Sequence, residues 1–343
     1  MAGLLAIVCL SGCRGADMEI SQIEKAEEQE EDVIKIGLSV DSFVIERWIR
    51  DRDVFVSTAK ELGAEVNVQD AGGDVEEQIN QIEYFIEKGM DVITIIACDC
   101  DALSDVVKKA QNAGIKIISY DRILNDTETD LYLSFDNHMV GTLMAESLVE
   151  AIPQGGDILM IQGSKEDANV EQVYDGFMGI IEDSNLEVVY MANCAGWLAE
   201  YAVDYVEEAL LEYPDVKGIM CGNDDIASQV VRVLSEKQLA GEIAVVGQDG
   251  DLAACQRIVE ETQYMTAFKD IDDLAREAAA YAVRMAKGDE LEEVTETQND
   301  GTYDIPAVVL SPTAVKKENM EEVIIKGGFH TKEDVYLNVG YGN

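Results

Sequence analysis

The sequence predicts an α/β protein made of two doubly wound parallel-sheet lobes that face each other across a cleft. Three observations carry this. Short β-branched runs alternate with longer amphipathic stretches from residue 33 onward. The runs are apolar on both faces, as in sheets covered by helices on each side. The alternation comes as two series of similar length in a chain of 343 residues, which is long for one core.

In the first series, residues 33–40 (VIKIGLSV) form a strand and residues 46–62 a helix, with Gly63 as its C-terminal stop. A strand over 64–69 follows. The helix over 74–88 places Val75, Ile79, Ile82, Phe85 and Ile86 on one face and ends at Gly89. Residues 91–97, 103–112 and 115–120 repeat the strand–helix–strand unit. The second series has strands over 157–162, 187–191, 218–221 and 243–247, separated by helices over 171–182, 200–212 and 226–237.

In open α/β sheets the ligand sits beyond the carboxyl ends of the strands, so the residues just after each strand are the site candidates. These are Asp121 and Arg122 after 117–120, Asp167 and Asn169 after 158–162, Asn223 after 219–221 and Asp249 after 245–247. Arg47 and Trp48 follow the opening strand, Trp197 follows a strand of the second series, and Lys269 follows 264–268. Trp48 and Trp197 are the two tryptophans of the chain. A sugar hydroxyl both donates and accepts, so it pairs with carboxylate, amide and guanidinium groups, while the C–H face of the ring packs on an indole. Arg47, Arg122 and Lys269 balance Asp121, Asp167 and Asp249, three charges against three, which suits a neutral polyol. Taken singly, such an Asp also serves as a helix N-cap, and a Trp as core.

The rest of the chain limits the alternatives. With 69 Asp+Glu against 25 Lys+Arg the formal charge is −44, a field that repels nucleic acid and anionic lipid surfaces. With 47% apolar residues and 4 prolines the chain is expected to fold. Residues 1–10 are apolar but too short to span a bilayer, and they lead into Leu10-Ser11-Gly12-Cys13 with no Lys or Arg before them. Residues 14–32 are polar and mostly acidic, and read as a solvated tether. Cys98 and Cys100 have no His or further Cys at ligand spacing, and they read as small apolar residues at a strand end. No metal or cofactor is expected, and no nucleophile–base constellation suggests an enzyme.

At these residues the sequence resembles the xylose-binding branch of the type I periplasmic sugar-binding family. The resemblance is carried by residues 46–55 (ERWIRDRDVF), 118–137 (ISYDRILNDTETDLYLSFDN), 245–258 (VVGQDGDLAACQRI), 266–270 (TAFKD) and 325–330 (IKGGFH), in order and spacing over about 33–332. The chain departs from the family at Ala168, where the xylose binders carry Asn, and at 96–101 (IACDCD). The resemblance implies a pentose gripped by Arg47, Asp121, Arg122, Asp167, Asn169, Trp197, Asn223, Asp249 and Lys269, with Trp48 beside Arg47. It implies two lobes joined by three crossover strands, at 135–136, 268–269 and 304–306. The first lobe would hold 33–135 and 269–304, and the second 136–268 and 305–332, leaving a tail over 333–343. Binding would be a hinge closure.

Leu10 to Cys13 resembles a lipoprotein signal, implying removal of residues 1–12, lipidation of Cys13, and anchoring outside the cytoplasmic membrane by lipid alone (the periplasm in a Gram-negative cell). The expected partner is an ABC transporter permease. The alternative is a membrane histidine kinase, with the chain acting as a xylose sensor. A repressor of the same two-lobe fold would carry a basic DNA-binding segment where residues 14–32 are acidic.

Overall fold

A computed structural model describes residues 33–339. The expected signal segment 1–12, the lipidation site Cys13, the tether to residue 32, and residues 340–343 lie outside the described residues. The first sheet contains β1 (Ile34–Val40), β2 (Ala64–Asp70), β3 (Val92–Ile95), β4 (Lys116–Tyr120) and β5 (Leu131–Phe135), with α1 (Arg47–Glu61), α2 (Val75–Lys88) and α3 (Ser104–Asn112) between its first four strands. The second sheet is built from α4 (Asn137–Ala151), β6 (Gly156–Gln162), α5 (Ala168–Ile181), β7 (Leu186–Asn193), α6 (Tyr201–Glu212), β8 (Gly218–Cys221), α7 (Asp224–Glu236), β9 (Ala244–Asp249), α8 (Leu252–Val259) and β10 (Met265–Phe268). The chain then returns through α9 (Ile271–Lys287), which packs on α1, and adds β11 (Glu296–Asn299), β12 (Asp304–Leu310) and β13 (Thr313–Val315).

Sheet order is β11-β12-β5-β4-β3-β1-β2 in one lobe and β13-β10-β9-β8-β6-β7 in the other. Every pairing is parallel except β11 with β12 and β10 with β13. The order reverses between β1 and β3 and between β6 and β8, so both crevices open at the carboxyl ends of these strands. Apolar burial explains the strands: β3, β5, β8 and β10 are buried at every residue.

The chain leaves the first sheet after Phe135 and re-enters that lobe after Phe268. The third crossing lies later than the expected 304–306. The apolar run Ala307 to Leu310 continues β12 alongside Tyr132 to Phe135 of β5, so the chain changes sheets only at Ser311-Pro312. The end of the chain also differs from a tail at 333–343: Lys332–Val335 forms a short helix, and Val335 is buried. Among the described residues no helix is long and apolar enough to cross a membrane.

Candidate functional site

All ten candidate residues line one cavity at the seam between the lobes. The first lobe supplies Arg47 and Trp48 at the start of α1, and Asp121 and Arg122 after β4. The second lobe supplies Asp167 and Asn169 around the start of α5, Trp197 after β7, Asn223 after β8 and Asp249 at the end of β9, with Lys269 on the crossing after β10. Each of the ten is under 10% exposed.

Local structure places several of them by two means at once. Asp167 caps α5, its side chain accepting from the Asn169 N–H, and Asn223 caps α7 by accepting from the Ile226 N–H. The capping role and the cavity role therefore coexist in the same residue. Asp121, Trp197 and Asp249 have φ of 63°, 60° and 106°, a left-handed backbone that costs non-glycine residues energy and clusters at functional sites. Trp197 reaches the cavity only because position 163 is glycine: a Cβ there would sit 2.2 Å from the indole ring. The ring is fixed at its edge by Nε1, which donates to Asp167 Oδ2 at 3.2 Å.

The charges form one buried network across the seam. Arg47 lies 2.9 Å from Asp121 and 3.6 Å from Asp249, and Lys269 lies 2.7 Å from Asp249. Arg122 reaches Asp167 in the other lobe at 2.7 Å. Asn169 Nδ2 donates to both the backbone oxygen and Oδ1 of Asp121, at 3.1 and 3.0 Å. The Arg47 guanidinium stacks on Trp48 at 4.3 Å, and that of Arg122 lies 5.7 Å from the same ring. Trp48 thus serves as a cation platform as well as core.

The balance of three against three needs correction. Two more buried carboxylates belong to the network: Asp51 accepts from Arg47 at 3.3 Å and from the Tyr120 hydroxyl at 2.5 Å, and Asp41 accepts from Arg122 at 2.7 Å. Burial pushes the carboxyl groups of Asp41, Asp51 and Asp167 up, against the pull of Arg122 or Arg47. Burial acts the same way on Asp121, but Arg47, Lys269 and Arg122 outweigh it and hold that group below the usual range. Five carboxylates around three cations make a site still less suited to an anion. Asp41 directly follows β1 and Asp51 is one helical turn after Arg47, so the strand-end rule and the i,i+4 spacing were signals for both. Asn137, Gln162 and Gln248 also line the cavity without having been selected. Each sits within or next to an apolar run, which hid it.

Apart from Arg122 Nε and Asp249 Oδ1, which are held in ion pairs, five buried polar atoms on cavity-lining residues have no hydrogen-bond partner: the donors Trp48 Nε1, Arg122 Nη2 and Asn223 Nδ2, and the acceptors Asn169 Oδ1 and Gln248 Oε1. Leaving such a group unpaired costs about 1–3 kcal/mol each. Donors and acceptors in nearly equal number match a ligand rich in hydroxyl groups.

Residues 36–290 match the periplasmic binding protein domain family. The chain is 42% identical over 308 residues to a D-xylose-binding periplasmic protein of Haemophilus influenzae and 41% identical over 307 residues to one of Escherichia coli K12; each match covers 88% of this chain and 92% of the relative. Among solved structures, an ABC transporter solute-binding protein of Clostridium phytofermentans with bound β-D-glucose superposes with a TM-score of 0.80 at 26% identity, covering 88% of this chain and 99% of that one.

Proposed function

We propose, for a chain that belongs to the periplasmic binding protein family, that the seam cavity captures one neutral monosaccharide, D-xylose, and that the protein delivers it to an ABC transporter. The observation that carries this reading is the mixed set of unpaired donors and acceptors on Trp48, Arg122, Asn169, Asn223 and Gln248. A sugar hydroxyl satisfies either kind, whereas an anion needs donors and meets three lining carboxylates here, with Asp41 and Asp51 already paired to the arginines behind them. The two relatives named for D-xylose support the choice of sugar, and the solute-binding neighbour supports the transporter role.

The mechanism follows from where the groups come from. Arg47, Trp48, Asp121 and Arg122 belong to one lobe, and Asp167, Asn169, Trp197, Asn223 and Asp249 to the other. A sugar touching both sets binds the closed arrangement better than an open one, and this difference shifts the population toward closure. The indole of Trp197 takes an apolar face of the sugar ring, and the guanidinium and carboxylate groups take its hydroxyls. No bond is made or broken. The working location is outside the cytoplasmic membrane, with the lipid on Cys13 as the only anchor.

The test is a thermal-shift panel of D-xylose, L-arabinose, D-ribose, D-glucose and D-galactose on the purified protein. D-Xylose at 1,000 times its Kd stabilises the folded state by about 4 kcal/mol, a shift of several degrees. No shift with any of the five overturns the sugar reading.

A further inference from the structure

The Cys98-Asp99-Cys100 segment has no part in the cavity, yet it makes a contact between the lobes. Cys100, after β3 in the first lobe, is 2% exposed. Its backbone N–H donates to the Glu166 carbonyl of the second lobe at 3.4 Å, two residues before the start of α5 at Ala168. The Ala168 side chain packs against two apolar clusters of the first lobe, one holding Cys100 and Leu124, the other Ile123 and Tyr132. Ala168 stands between Asp167 and Asn169, both of which line the cavity, while Ala168 and Cys100 do not. An apolar contact therefore joins the lobes beside the ligand groups without belonging to them.

We infer that the contact between Cys100 and Ala168 is a latch that sets the balance between open and closed lobes. The inference rests on the closure proposed above. A latch acts on the fraction of molecules competent to hold ligand, so weakening it divides the apparent affinity by the loss in that fraction and leaves the ligand contacts as they were. It also makes the Cys100 thiol a reporter of closure. Burial, with Asp167 next, pushes this thiol up to about 12, so in the closed form it is nearly unreactive at neutral pH. Cys98 provides an internal control: its thiol contacts the Asp41 carbonyl of its own lobe at 3.7 Å.

The experiment is alkylation by iodoacetamide, read peptide by peptide on the intact protein. The thiolate sulfur displaces iodide to form the S–C bond, and the thiol proton goes to the buffer. Saturating D-xylose should slow labelling of Cys100 at least tenfold while changing that of Cys98 less than twofold. Ala168→Leu, which puts a larger side chain into the contact than it holds, should weaken D-xylose binding about tenfold and speed labelling of Cys100 in the sugar-free protein. Cys100→Ala, a milder change, should fold as the wild type and weaken binding by a smaller factor. Unchanged affinity in Ala168→Leu, or sugar-independent labelling of Cys100 in a wild type that binds D-xylose, overturns the latch. If the wild type binds no D-xylose, the ligand reading is what fails. The latch is then judged on whether Ala168→Leu alone speeds labelling of Cys100, and no increase refutes it.

Discussion

Replacing Trp197 separates two contributions to ligand binding that the structure joins in one side chain. The indole is 8% exposed, lies over Gly163, and donates from Nε1 to Asp167. A buried aromatic covers about 150–250 Å², of which the ring face offered to a sugar is about a third, roughly 60 Å². At about 25 cal/mol per Å² this face contributes about 1.5 kcal/mol. The hydrogen bond that fixes Asp167 adds about 0.5–1.5 kcal/mol. Trp197→Ala loses both, about 2–3 kcal/mol, and weakens D-xylose binding about 30- to 150-fold. Trp197→Phe keeps most of the face and loses the hydrogen bond, a weakening of about 2- to 10-fold. Isothermal calorimetry at 25 °C reads both values, with circular dichroism to show that each variant is folded. Less than a twofold change in the Ala variant refutes the reasoning. A Phe variant as weak as the Ala variant places the effect in the hydrogen bond and contradicts the assigned role of the face.

Three further perturbations address the supports of the site. Gly163→Ala drives a methyl group into the Trp197 ring and should weaken sugar binding at least tenfold, although residue 163 offers no side chain to the ligand; calorimetry showing wild-type affinity contradicts the close approach. Asp51→Asn removes one partner of a buried pair that orients Arg47, so affinity should fall about tenfold and stability in urea by about 3–5 kcal/mol; wild-type affinity in the folded variant makes Asp51 structural only. Asp225 accepts from the Glu46 backbone N–H across the seam, and its carboxylate lies with those of Glu46 and Asp251 within 4.8 Å. Burial, with Asp249 and Glu46 as like charges, raises its pKa to about 6, so the folded state binds this proton more tightly than the unfolded chain does. The stability linked to it is complete below about pH 4 and lost as pH rises through about 6. Asp225→Asn should therefore raise stability by about 1–2 kcal/mol at pH 8 and by almost nothing at pH 4, and an equal gain at both refutes the assignment.

The strand-end rule worked for most of the site because a strand's carboxyl end fixes where the next residues stand whatever the packing around them. Asp121, Asn223 and Asp249 were legible for that reason. What the sequence concealed were partners defined by distance in space. Asp41 and Arg122 are 81 residues apart, and Asp51 meets Tyr120 across 69, so the extra carboxylates entered the network only once the lobe was folded. The third crossing was expected at 304–306, whereas the apolar run that follows, Ala307 to Leu310, pairs with β5. The segment 131–135, buried at all five residues, and α4 after it lay outside the elements assigned from periodicity, although 131–135 is as apolar as the strands that were assigned. Left-handed φ at Asp121, Trp197 and Asp249 had no sequence signal: Trp avoids it, and Asp, though enriched there, adopts it at only a small share of its positions.

The central claim is that the cavity is built for a neutral polyol, with three cations set among five carboxylates and unpaired donors and acceptors mixed. The most direct measurement is a paired calorimetric titration at pH 7 with D-xylose and with D-glucuronate, the same pyranose ring carrying a carboxylate on C5. D-Xylose should bind with a Kd below about 0.1 mM and D-glucuronate at least a thousandfold more weakly, about 4 kcal/mol. Equal binding of the two, or no binding of D-xylose tighter than about 1 mM, contradicts it.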